Sequence, residues 1–225
     1  MYDFFVIKFN QKYVIIVYGE LIYYVSNFWM MNNCGKTTLV QLIKDYYLKM
    51  GVPAEISKEF ETNIGKELKA MAKEGALDPI LNTYLFAADR HIRMKNITNE
   101  DLQEKVMLFD RYVPSSLAYL MAEEIDKNWI NNINSIFPKA DIGFFIDITP
   151  EESVKRNTDT KFNIKASPDH LTKVRETYLS IINENNLIYI DGMQPIQNIF
   201  DEVINNIEEY RRKNEKRIRK LIKWT

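Results

Sequence analysis

Val106-Met107-Leu108-Phe109-Asp110-Arg111-Tyr112-Val113-Pro114-Ser115-Ser116-Leu117-Ala118-Tyr119 joins four successive apolar residues to a charged pair and then to a helical pattern, Ser115 to Ile125. An apolar residue at every position, rather than at every second one, marks a strand buried on both faces. Asp110 and Arg111 then fall at the carboxyl end of that strand, where ligands bind in open parallel sheets. Similar runs occur at Tyr13 to Tyr18, Ile142 to Ile148 and Leu187 to Ile190. Helical patterns separate them at Thr37 to Met50, Ile64 to Lys73, Pro79 to Met94, Glu151 to Lys155, Asp169 to Asn183 and Pro195 to Tyr210. This alternation predicts an α/β fold of three layers, α/β/α, around a central parallel sheet. Thr149, Pro150 and Glu152 supply an N-cap, a proline at the first helical position and the acid of a capping box, which fixes Ile142 to Ile148 as the strand before that helix.

The chain of 225 residues suits one substantial domain, and no Gly/Ser or Pro-rich linker or internal repeat divides it. An apolar fraction of 46% with 27% charged residues and a net charge of −1 excludes disorder and a whole-protein polycation. One cysteine, Cys34, and two histidines exclude an internal disulfide and a cysteine-rich zinc site, and point to a reducing, cytoplasmic setting. Tyr13 to Met31 carries only one charge, Glu20, yet Gly19, Ser26 and Asn27 interrupt it and its Val, Ile and Tyr favour strands over a membrane helix. From Arg211 onward eight Lys or Arg stand against one Glu, a local net of +7. Attraction of this tail to nucleic acid or anionic membrane is one reading. A solvated extension of the last helix is the simpler one.

Gly35-Lys36-Thr37-Thr38, followed by the apolar Leu39-Val40 and Leu42, reads as the end of a phosphate-binding loop entering a helix. Backbone N–H groups, a helix N-terminus and a lysine are what nucleotide phosphates require, and Gly35 lets the backbone approach closely. Lys36 would reach the β and γ phosphates, and Thr37 would set its hydroxyl on Mg²⁺. The full motif asks for a glycine where Met30 stands. A bulky residue at positive φ there would cost on the order of 1–2 kcal/mol, while Asn32 and Asn33 tolerate the left-handed region better than most residues. Alternatively Gly19 is the first glycine, after Val14 to Tyr18 as the strand, with an insertion before Gly35. Both readings stay open.

Phe109 to Tyr119 resembles the thymidylate kinase family, whose pattern is Asp-Arg-Tyr, then Ser, then Ala-Tyr. Tyr84-Leu85-Phe86-Ala87-Ala88-Asp89-Arg90 is similar to the family's Leu-Phe-x-Ala-x-Arg helix, and Phe86 and Arg90 share a face at i and i+4. Phe144 to Arg156 resembles the strand and helix leading to the family's lid, Lys173 to Leu179 the helix after it, and Tyr189 to Gly192 the last strand and the loop passing adenine. Glu59 to Gly65 occupies the place of an Arg-Glu-Pro loop, with Lys58 for the arginine and Phe60 for the proline.

The resemblance implies a P-loop kinase fold with a lid around Arg156 to Asp169, and ATP-dependent phosphorylation of dTMP to dTDP with Mg²⁺, by a homodimer. It implies that Phe86 stacks on thymine, that Arg90 bonds the base carbonyl, and that Ser116 touches the base edge. It further implies that Tyr119 crowds the 2′ position, that Arg111 holds the dTMP phosphate, and that Asp110 joins Thr37 in organising Mg²⁺. ATP would be held by Asn32, Asn33, Cys34, Gly35, Lys36, Thr37 and Thr38, with Cys34 as the small filler where the family often has serine. Asn32 stands where the family has aspartate, so it can hydrogen-bond but brings no charge. Met31 to Cys34 contains no arginine, so the cation on the transferred group falls to Arg156, with Lys161 and Lys165 as lesser candidates, and the catalytic set becomes Lys36, Arg111 and Arg156. The expected domains are 1–28, an N-terminal segment with the first strand, 29–210, the kinase-like body, and 211–225, the basic tail. Rival readings are a kinase for another deoxynucleotide or a deoxynucleoside, and a catalytically impaired nucleotide-binding relative.

Overall fold

The computed structural model describes residues 5–9, 12–16, 25–30, 36–74, 78–97, 105–156 and 167–222. In chain order the strands are β1 Phe5–Phe9, β2 Lys12–Ile16, β3 Val25–Met30, β4 Ala54–Lys58, β5 Val106–Asp110, β6 Ile142–Asp147 and β7 Leu187–Asp191. The helices are α1 Lys36–Lys49, α2 Asn63–Glu74, α3 Pro79–Lys95, α4 Val113–Ala122, α5 Lys127–Asn134, α6 Pro150–Lys155, α7 Pro168–Ile181 and α8 Ile196–Ile222.

Successive residues of the central strands go to opposite cores. Leu108 of β5 and Phe144 and Ile146 of β6 pack with Leu39 and Ile43 of α1 and Val203 and Ile207 of α8. Met107 and Phe109 of β5 and Phe145 of β6 pack instead with Leu117 and Leu120 of α4, Ile130 of α5 and Val174 and Tyr178 of α7. A strand that is apolar on both faces can satisfy both only between two helical layers, so the α/β/α expectation holds. The sheet runs β4-β5-β3-β6-β7, every neighbour parallel. All its strands therefore end at one edge.

The first strand differs from expectation. Tyr13 to Tyr18 was the sequence's candidate for the parallel sheet, but β2 pairs antiparallel with β1 as a separate two-stranded hairpin. The central strand is β3, which needs only residues 31–35 to reach α1, whereas a strand ending at Tyr18 would need a far longer connection. Ser26 and Asn27 break its apolar run, which hid it, yet both pair on two sides in the sheet. β3 straddles the expected domain boundary at 28, and α8 runs unbroken through that at 210. Met30 is paired with Ile146 as a strand residue, so an extended backbone stands where the motif has glycine and no positive φ is demanded. Among the described residues no helix is long and apolar enough to cross a membrane.

Leu108 is fully buried at the centre of β5, so Leu108→Ala should cost about 2–5 kcal/mol. Thermal denaturation of the variant should show a midpoint lower by roughly 5–15 °C.

Candidate active site

β3 and β5 end side by side at the carboxyl edge of the sheet. Phe28 of β3 lies level with Asp110 of β5. The end of β3 and the turn from Asp110 into α4 therefore share the carboxyl edge. Lys36 opens α1, so its helix N-terminus, with its unpaired N–H groups, stands at that edge. Leu39 and Val40 are buried and pin the helix, while Thr37 and Thr38 in its first turn are exposed. Asn32, Asn33, Cys34 and Gly35 lie outside the described residues, as do Lys161 and Lys165 of the expected lid.

On the β4–β5 side the backbone is strained at two places. Arg111 has a φ of 74° and Phe60 a φ of 69°. For bulky side chains each such conformation costs about 1–3 kcal/mol and persists only where the surroundings impose it. Asp110 is buried at the end of β5, and its carboxylate meets no ion-pair partner among the described residues. The Arg111 guanidinium sits 5.1 Å from the centre of the Tyr119 ring. Burial by itself would lower the Arg111 pKa, but Tyr119, Tyr178 and Glu59 more than offset it and hold the cation.

Beneath lies a buried cluster of two acids and two arginines: Glu59, Asp89, Arg90 and Arg93. Glu59 stands 3.6 Å from Arg90 and 3.8 Å from Arg93, and Asp89 lies 3.3 Å from Arg93. Burial pushes the Glu59 carboxyl up from the usual carboxylate range, with Arg93, Arg90 and Arg111 pulling it back. Thr62 donates to Asp89 at 2.5 Å and accepts from the Gly65 N–H at 3.0 Å, capping α2. A Cβ on Gly65 would lie 2.4 Å from Asp89 Oδ1 and 2.6 Å from the Phe60 Cα. The glycine is thus what lets α2 close on this loop.

Arg90 and Ser116 are brought together, as the sequence pairs them. Arg90 is fully buried and donates to Ser116 Oγ at 2.8 Å and to Asn134 Oδ1. Burial lowers its pKa to about 10 against the pull of Glu59, so it remains a cation at neutral pH. Phe86 is half-buried, its ring 5.8 Å from that of Phe60.

At the β6–β7 side Asp147 is buried at the strand end and takes both Arg175 Nε at 2.8 Å and Arg175 Nη2 at 2.6 Å. Tyr189 donates to the same carboxylate at 3.1 Å. Arg156 caps α6, pairs with Glu152 at 2.6 Å and reaches the Gly192 carbonyl at 3.5 Å. It therefore stands beside the loop after β7, its charge met by Glu152.

Comparison with known proteins resolves what such an edge belongs to. Residues 31–203 match the family model described as thymidylate kinase. The chain belongs to the thymidylate kinase family. It is 34% identical over 175 residues to a probable thymidylate kinase of Sulfurisphaera tokodaii, covering 77% of this chain and 90% of that protein. It is 34% identical over 181 residues to probable thymidylate kinase 1 of Saccharolobus solfataricus, covering 80% and 94%. A thymidylate kinase of Thermoanaerobacter sp. is 28% identical over 194 residues, covering 80% and 95%.

Within this thymidylate kinase family member, sequence reasoning passed over Asn134, Asp89, Arg93 and the Asp147–Arg175 pair. Asp89 was legible only as the neighbour of Arg90, and Asn134 sits in a helix, α5, that the pattern did not reveal. A cavity of about 440 Å³ lined by Leu117, Asn134, Phe137, Lys139, Gly143 and Leu187 lies behind α4. Gly143 and Leu187 lie near the amino ends of their strands, and Tyr112, Val113 and Pro114 at the start of α4 also line the cavity. Among the described residues no three His, Cys, Asp or Glu gather to hold a metal by themselves.

Gly65→Ala should destabilise the protein by about 1–3 kcal/mol, because the displaced atoms are backbone and a hydrogen-bonded carboxylate. Denaturant titration should show the loss as a lowered midpoint with an unchanged slope.

Proposed function

We propose that this chain transfers the γ-phosphoryl group of MgATP to dTMP, giving dTDP and ADP. The observation that carries the reading is the register of β3 with β5. It supports the reading because Phe28 pairs with Asp110, so that the end of β3 and the residue before Arg111 share one sheet edge, in a chain of this family. A phosphate oxygen of dTMP attacks the γ phosphorus of ATP in line, the bond to the bridging oxygen breaks, and ADP leaves with its electron pair. The dTMP oxygen is already anionic near neutral pH, so no base has to take a proton. The protein's part is positioning and charge neutralisation.

Arg111 holds the acceptor phosphate, where a planar fork suits phosphate oxygens. The amides of residues 32–35 and the α1 N-terminus hold the donor phosphates, with Lys36 along the chain of phosphates. Arg156 is the cation on the donor side. Phe86 stacks on thymine, Arg90 and Ser116 face its polar edge, and Tyr119 lies against the sugar. Thr37, exposed in the first turn of α1, and Asp110, buried and without an ion-pair partner among the described residues, fit a magnesium ion that keeps most of its ligands from water and phosphate. Bound there, the ion would neutralise charge on the phosphates. Asn32 in place of an aspartate favours a slower enzyme as the second reading. The setting we propose is the cytoplasm, and the working form a homodimer, by likeness to the family.

Purified chain with ATP, Mg²⁺ and dTMP should release ADP in a coupled assay, with none when dTMP is omitted or EDTA is added. Arg111→Ala should lower kcat/KM by roughly 10²–10³. Faster turnover of dCMP, dUMP or thymidine than of dTMP would overturn the assigned acceptor.

A further inference from the structure

Asn134 closes α5 and is buried, far in sequence from the charged cluster it touches. Its Nδ2 donates to the Ile130 carbonyl at 2.8 Å, and its Oδ1 accepts from Arg90 Nη1. The two contacts fix the amide without ambiguity. A carbonyl can only accept, so the nitrogen must face Ile130, and a guanidinium can only donate, so the oxygen must face Arg90. Ser116 Oγ holds the other arm of the fork at 2.8 Å. The rings of Tyr112 and Phe137 lie 5.5 Å and 5.4 Å from the guanidinium carbon. Phe137 follows Asn134 by three residues, so one short segment supplies both an in-plane acceptor and a ring contact.

An arginine has no acceptor of its own and long rotatable bonds, so its use as a reader of base edges depends on what holds it. With Asn134 and Ser116 each taking a donor, Arg90 Nε still finds no acceptor among the described residues. We propose that Asn134 is a positioning residue for base selection: by fixing the guanidinium plane it makes Arg90 favour a pyrimidine presenting a carbonyl at position 4 over one presenting an amino group. This rests on the reading that Arg90 faces the acceptor base. A donor-only group meets the thymine carbonyl favourably and meets the cytosine amino group donor to donor. A site whose buried donors are held rigid rejects the mismatched analogue more strongly than one whose donors can turn away.

The test compares wild type with Asn134→Leu, which removes the acceptor while keeping the branched shape, and Asn134→Asp, which keeps an acceptor for Arg90 but loses the donor to the Ile130 carbonyl. Calorimetric Kd values for dTMP and dCMP are read beside KM and kcat for dTMP. Asn134→Leu should raise Kd and KM for dTMP about tenfold with kcat within about twofold, and narrow the preference over dCMP by a similar factor. Asn134→Asp should return both to within a few-fold of wild type. If Asn134→Leu does not fold, Asn134→Ser, too short to reach Arg90, takes its place with the same expectation. An unchanged preference, or a fall in kcat with Kd and KM unaltered, overturns the role of Asn134 while leaving the kinase assignment standing. A wild-type chain that binds dTMP no better than dCMP removes the base reading and this inference together, and the ADP-release assay shows separately whether phosphoryl transfer itself survives.

Discussion

Burial of β5 and β6 on both faces is the constraint from which the rest follows. A strand whose successive side chains are Met107, Leu108 and Phe109 has no face to give to water. It has to lie between two helical layers, and the crossovers that build those layers make the strands parallel. Parallel strands end together. The order β4-β5-β3-β6-β7 places β4 and β5 to one side of β3 and β6 and β7 to the other. The direction of winding reverses about β3, and in such sheets the crevice opens at that reversal. Apolar patterning thus decides where the polar chemistry can stand, before any polar residue is chosen.

What stands there is costly to keep. Four ionisable groups are buried at separations of 3.3–3.8 Å, too long for the short charge-assisted hydrogen bonds that would offset their desolvation. Buried polar atoms of Glu59, Asp89, Arg90 and Arg93 lack hydrogen-bond partners within the described structure. Positive φ at Phe60 and Arg111 adds strain on the same side. The well-packed surroundings, with Phe109, Phe145 and Leu117 against α4 and α7, are what can hold such an arrangement in place. The cluster is therefore better understood as orienting arginines than as stabilising the fold. Two acids balance Arg90 and Arg93, and Glu59 also feels Arg111, so the cation at the edge is tied to the pair beneath it.

The sequence disclosed the layers and the end of β5 well, because both rest on local pattern. Val106 to Tyr119 carries its burial and its charged pair within a few residues, and Thr149-Pro150 marks its helix start by capping chemistry. The first sheet strand was missed because Ser26 and Asn27 mimic a break, while the more apolar Tyr13 to Tyr18 competed for the place. Choosing between them depends on how far each lies from α1, which no window of apolarity measures. β4 was missed for the same reason, since Glu55, Ser57 and Lys58 of an edge strand are partly or fully exposed. The roles of Asn134 and Asp89 could not be read. They are set by a partner 44 residues away in one case and by the closure of α2 at Gly65 in the other.

The two ends of the edge are built on different principles, and the difference bears on what each can distinguish. On the β6–β7 side, Asp147 holds Arg175 through a bidentate pair whose arginine is one-third open to solvent while its aspartate is buried, and Arg156 leans on a partly exposed Glu152. The Arg156–Glu152 contact is screened and can be remade at small cost, whereas Asp147 would be left a buried carboxylate without its partner if Arg175 withdrew. On the β4–β5 side, Arg90 is closed off from water between aromatic rings, and its partners are neutral side chains and a buried acid. There a donor facing a donor has no water to turn to, so each mismatch carries its full penalty. On the proposed reading of Arg90, discrimination between bases belongs to the side where the desolvation of the reader has already been met in folding.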